Sequence, residues 1–148
     1  MKKIITLVVT LISSINLAWA QEYKVITIVE SIVPMGAGRS RIIENQGSIN
    51  IGDVTTEREG DHSKSGDVKR SDLKKADDNL KETKLLNFYA LTGINFGNIA
   101  SNDAVIAAKI NEMIKEGWKV AYITSGVESD GGTGDGNGIF ITRIFFSR

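Results

Sequence analysis

An α+β domain, with a small antiparallel or mixed sheet of three to five strands and one main helix on a face, follows from three stretches of this 148-residue chain. Residues 23–33 (YKVITIVESIV) are rich in β-branched side chains, as strands are. Over about 103–116, apolar residues recur at helical spacing. Two further β-rich runs, 118–124 (WKVAYIT) and 139–146 (IFITRIFF), flank a Gly-rich loop. Several strands and one amphipathic helix bury a single core when the helix lies on the sheet.

The chain opens with Met1-Lys2-Lys3, an apolar run over 4–17 and Ala18-Trp19-Ala20. A positive start, a short hydrophobic stretch and a small-x-small site are the three parts of a secretory signal peptide. The run is shorter than the roughly 20 residues a bilayer-spanning helix needs. The expectation is therefore a signal peptide at 1–20, cleaved before Gln21, and an exported protein, periplasmic or extracellular, that does not span a membrane afterwards. With no Cys, neither a lipidated N-terminal Cys nor a disulfide nor a thiolate nucleophile is available. Residues 21–148 carry 16 basic and 18 acidic side chains. Such a balance gives no general attraction to nucleic acid.

Taken in order, the strand over 23–33 is apolar on both faces, which suits a central position. Pro34 and Gly36-Ala37-Gly38 end it. The Gly-x-Gly lacks the third Gly and the following helix of a dinucleotide fingerprint, so a turn is the reading. A weaker β segment over 39–51 pairs back on the first. Residues 53–83 hold 16 charged residues and only Val54, Val68, Leu73, Ala76 and Leu80 as apolar ones. That is too little apolar area to offset ordering entropy, and a mobile, charged insertion is expected. His62, the lone His, lies within it and is a poor catalytic or metal candidate.

Leu85, Leu86, Phe88, Tyr89 and Leu91 form a dense apolar patch, either a strand or a helical turn. Gly93 and Gly97 bracket a loop. The helix then begins at Ser101 or Asn102 as cap. Ile106, Ile110, Met113 and Ile114 make its buried stripe, Lys109, Asn111, Glu112 and Lys115 its wet side, and Gly117 its left-handed stop. Trp118 is expected to lock helix to sheet as a core residue. The strands that follow form a hairpin with a tip over 125–138, longer than most hairpin loops.

Tyr23-Lys24-Val25, Glu116-Gly117-Trp118 and the tail from Phe145 to Arg148 resemble a small bacterial domain of unknown function. Its members run strand, helix closing on Glu-Gly-Trp, and hairpin ending in Phe-x-Arg. Other stretches, such as Gly93-Ile-Asn-Phe and Asn98-Ile-Ala-Ser-Asn-Asp, are similar to uncharacterised exported bacterial proteins. The resemblance implies the same element order and export, and no activity.

Two constellations could carry binding. Arg39 and Arg41, two apart on a strand, would share a face and could clamp a phosphate, sulfate or carboxylate. Glu128, Asp130, Asp135 and Asn137 crowd the Gly-rich tip with oxygen ligands of the kind calcium takes, without the EF-hand spacing. Catalysis finds little support: no Cys, a single His and no Gly-x-Ser-x-Gly elbow. A carboxylate pair, such as Glu30 or Glu44 near Asp103, is the remaining route. The sequence therefore predicts a non-catalytic binding or interaction module without a cofactor, its partner an unknown protein or small anionic ligand. The alternatives are a carboxylate-dependent hydrolase or lyase and a calcium-ordered loop protein.

Overall fold

In a computed structural model of the chain, residues 21–32, 39–45, 47–63, 68–74, 79–90, 92–128 and 138–148 are described. The expected leader at 1–20, the expected turn at Gly36-Ala37-Gly38 and most of the Gly-rich tip lie outside them. The elements run β1 (Tyr23–Ser31), β2 (Arg41–Asn45), a 3-10 turn (Ile51–Val54), β3 (Arg58–Glu59), β4 (His62–Ser63), α1 (Arg70–Lys74), β5 (Leu80–Lys84), β6 (Tyr89–Ala90), β7 (Gly93–Ile94), α2 (Phe96–Lys115), β8 (Lys119–Glu128) and β9 (Ile139–Ser147).

Five strands form one antiparallel sheet in the order β5-β2-β1-β9-β8. β1 takes the central place that its two apolar faces predict. Its even-numbered residues face α2: Ile26 lies opposite Ile144 and Ile28 opposite Ile42. With Leu85, Met113, Trp118 and Phe146 these side chains form the buried core, and Val105, Ile106 and Ile110 pack against it. The α+β architecture is thus the one expected, with the five strands at the upper end of the range.

Several local expectations are corrected. The helix starts at Phe96, seven residues before Asp103, because Asn95 caps it: its side chain accepts a hydrogen bond from the Asn98 N–H at 3.1 Å. Ser101 and Asn102, expected as caps, lie inside the helix. Of the patch around Leu85, expected as a strand or a helical turn, Tyr89 begins the two-residue strand β6 paired with β7, Leu85, Leu86 and Phe88 precede it outside any strand or helix, and Leu91 lies outside the described residues. Of the charged insertion expected over 53–83, residues 80–83 belong to β5 and pair with β2. Backbone pairing with a ready edge offsets their lack of apolar area. Ile114, expected in the stripe, is exposed, and Lys109, expected in water, is buried.

The end of the helix explains Glu116-Gly117-Trp118 residue by residue. Glu116 is the C-cap, and Gly117 adopts φ 90°, which a side chain would resist. The Gly117 N–H donates to Ile114 O at 3.0 Å and the Trp118 N–H to Met113 O at 3.1 Å. This pair of bonds is the Schellman arrangement, and its usual apolar contact is present, since Trp118 and Met113 share the core. The turn delivers the chain into β8 with the indole already buried.

Candidate functional site

Two polar anchors sit between α2 and the sheet. The first is built on Glu44 of β2, which faces the helix and is buried. Its carboxylate lies 2.5 Å from Lys24 Nζ on β1 and 2.7 Å from Lys109 Nζ on α2. Lys109 also reaches Glu112 at 2.9 Å, and Glu112 reaches Lys81 of β5 at 3.5 Å. Burial alone would raise the Glu44 pKa, but hydrogen bonds and charge from Lys109 and Lys24 outweigh it and hold the group down at about 2. Burial likewise opposes the charge on Lys109, yet Glu44 and Glu112 raise its pKa above the ordinary lysine value. The network stitches four elements together, which is a structural task.

The second anchor is Asn102, fully buried on α2. Its side-chain oxygen accepts from the Leu86 N–H at 2.8 Å, and its amide donates to Leu86 O at 2.8 Å and to Glu30 Oε1 at 3.0 Å. Glu30 of β1 has its pKa raised, chiefly by burial, with the Asn102 bond working against the shift and the nearby Asp103 charge adding to it. Glu30 and Asp103 are thus the acidic neighbours that a carboxylate mechanism would call on. The Glu30 carboxylate is, however, already engaged in holding α2 to β1.

At one end of the sheet a cleft of about 630 Å³ is lined by Tyr23, Lys24, Asn45, Ile49, Trp118 and Arg148 among others. The Arg148 guanidinium stacks 4.3 Å from the Trp118 ring centroid and pairs with Glu22 at 2.6 Å. Glu22 and Arg148 also exchange two backbone hydrogen bonds at 3.1 Å. Of the two basic groups in this cleft, Arg148 therefore closes the sheet end and Lys24 is paired with Glu44.

The residues expected to bind ligands are differently placed. Arg41 donates from one guanidinium nitrogen to both oxygens of Glu82 on the adjacent strand, at 2.8 and 3.0 Å. Arg39 precedes β2, so strand alternation does not set its direction. Glu128 is the last position of β8, opposite Ile139, while Asp130, Asp135 and Asn137 lie outside the described residues. Among the described residues no group of three or more His, Asp or Glu side chains is arranged to hold a metal ion. His62 stands on β4, exposed.

Accessible apolar side chains also gather on the face of the sheet turned away from α2. An antiparallel sheet with one wet face normally alternates apolar and polar side chains. Here the outward positions include Tyr23, Val25 and Val29 on β1, Ile43 on β2, Ile141 and Phe145 on β9, and Tyr122 on β8. None of them is buried. The register places Val25, Phe145 and Tyr122 side by side in one row across three strands. The Tyr122 and Phe145 ring centroids are 6.1 Å apart. The runs VITIV and IFITRIFF announced this surface, since both are apolar at odd and even positions while one helix can cover only one side.

No family model, no curated protein and no solved structure matches this chain. Among the described residues, no helix is long and apolar enough to cross a membrane.

Proposed function

We propose that this chain is an exported, non-catalytic interaction module that engages a protein partner with the outward face of its sheet. The observation that carries the reading is the cross-strand row Val25–Phe145–Tyr122 on a face whose apolar side chains are left accessible. Beyond this row the face continues through Thr27, Arg143 and Thr124 to Val29 and Ile141, and apolar side chains clustered on an accessible sheet face mark contact surfaces. Aromatic residues supply much of the energy at such surfaces. The other polar clusters support the same reading, because the Glu44, Glu30 and Arg148 groups are each committed to holding elements together. Arg41, bound to Glu82, favours a protein partner over a small anion. Export rests on the leader pattern of residues 1–20, and kinship with the Glu-Gly-Trp domain rests on the Schellman turn at 116–118 and the strand that follows it.

The test uses two substitutions on the central strand, Tyr23→Asp with Val25→Lys, at exposed positions. The double variant is expected to melt within a few degrees of the wild type. Immobilised wild-type protein is expected to retain a distinct component of its own envelope fraction, and the variant to lose it. Equal retention by both proteins would remove the outward face from the account.

A further inference from the structure

The two edges of the sheet are built differently. β5 closes one side with Lys81, Glu82 and Lys84 among its five residues, and charge of that kind deters a further strand. β8 closes the other with Tyr122, Ile123, Thr124, Ser125, Gly126 and Val127, six uncharged residues in succession. Every residue from 119 to 127 is exposed, on both faces of the strand. The one irregularity, a bulge between Val120 and Tyr122, falls near the start and leaves a regular stretch beyond it. We infer that β8 is the pairing edge for a second copy of this chain, joined antiparallel across a two-fold axis into one ten-stranded sheet. This goes beyond the proposed function, since it concerns the edge of the sheet and not its outward face.

Alternation restricts the register. Opposed side chains on paired strands share a face. Ile123, Ser125 and Val127 lie on the helix side, opposite Ile144, Thr142 and Phe140 of β9, whereas Tyr122, Thr124 and Gly126 lie on the outward side. The axis therefore passes through a residue and not between two. Centred on Ser125, it sets Ile123 against the second copy's Val127 and Val127 against its Ile123. Centred on Thr124, it would set both aliphatic residues against Ser125 and Ala121; centred on Ile123, it would set Val127 against Lys119. The Ser125 register alone of these three matches apolar to apolar at both ends, and a two-fold pair gains that match twice. This self-complementarity is what selects a second copy over an unrelated strand.

The area agrees. On the edge itself, Val120, Ile123, Val127 and the adjoining Phe140 are 41%, 50%, 55% and 37% exposed. With roughly 150–250 Å² for a whole aromatic residue and somewhat less for an aliphatic one, this is on the order of 300 Å² of exposed area. The exposed backbone of β8 with Thr124, Ser125 and Gly126 brings the surface toward the ~800 Å² per partner of a standard interface.

The chain contains no Cys, so Ser125→Cys introduces a single thiol. In an antiparallel pair, opposed Cα atoms lie about 4.5–5.5 Å apart, within reach of a disulfide. The exported protein is expected to sediment as a dimer at about 100 μM, a concentration at which a standard-size interface is populated. Ser125→Cys is expected to oxidise to a covalent dimer at least tenfold faster than Lys119→Cys, which lies off the axis. Ile123→Lys, at a half-exposed position that does not touch the outward face, is expected to yield a folded monomer. A wild-type monomer, equal oxidation rates for the two Cys variants, or an unaltered Ile123→Lys dimer would each overturn the inference. Each of these results leaves the capture experiment on Tyr23 and Val25 untouched, so the two readings fail separately.

Discussion

Glu44 shows at the residue scale how a buried charge becomes a stabilising one. Its carboxylate is nearly sealed from water, yet two ammonium groups hold it ionised with a pKa of about 2. A carboxyl whose folded pKa lies below its unfolded value stabilises the fold at pH above the unfolded pKa, near 4.3. That stabilisation is lost as pH falls toward 2 and amounts to on the order of 3 kcal/mol. Lys109 works in the opposite window: its raised pKa favours the fold below the ordinary lysine value and ceases to do so as pH rises through the folded one. Melting temperature is therefore expected to drop between about pH 4.5 and 2.5, and Glu44→Gln to flatten that part of the curve while lowering its plateau. A wild-type curve that stays level across this interval would refute the assignment. Lys109 was read from the sequence as a wet residue because helical spacing counts apolar positions. The carboxylate that draws it inward lies 65 positions away, on β2.

At the scale of elements, α2 and its exit turn are the hinge of the fold. The run from Met113 to Trp118 ends the helix, turns the chain with a left-handed Gly117 and buries the indole in one motion. Gly117→Ala meets no neighbouring atom within 4 Å, so its cost is backbone conformation alone, about 1–2 kcal/mol. Trp118→Ala removes a core side chain and the ring under Arg148, and is expected to cost about 3–5 kcal/mol. Chemical denaturation should rank the two variants in that order; a Trp118→Ala protein as stable as Gly117→Ala would place the indole outside the core. The exit of α2 was legible in the sequence because a Gly following a Glu is a local signal. The entry was not. Asn95 caps the helix ahead of Phe96, Gly97 and Ser101, a stretch without apolar periodicity, and Asn102, which looks like a cap, is bound to Leu86 instead.

For the molecule as a whole, α2 lies on one face of the five-stranded sheet, and among the described residues the other face and the β8 edge keep accessible apolar side chains. The outward face carries Val25, Phe145 and Tyr122; the edge carries Ile123 and Val127. If both readings hold, two-fold pairing through β8 extends the outward face across ten strands and presents two copies of the aromatic row. The surfaces are expected to act independently. Tyr23→Asp with Val25→Lys should leave the mass in solution dimeric, and Ile123→Lys should keep the capture of an envelope component. Sedimentation and capture run on both variants check this, and loss of both properties in either variant would show that face and edge form one surface.

Local chemistry in the chain determined the α+β class, the central place of β1, the hairpin of β8 and β9, and the closing of α2 on Gly117. Each depends on residues close together: β-branched runs, a turn-forming Gly, a helical repeat. Only tertiary structure decided that Glu44 meets Lys109, that residues 80–83 join the sheet, and that the surplus apolar side chains of β1, β8 and β9 fall on a face and an edge that α2 does not cover. Those outcomes depend on which strands become neighbours and which side the helix takes. Burial and pairing energies acting across tens of residues settle such choices, and no short stretch of sequence contains them.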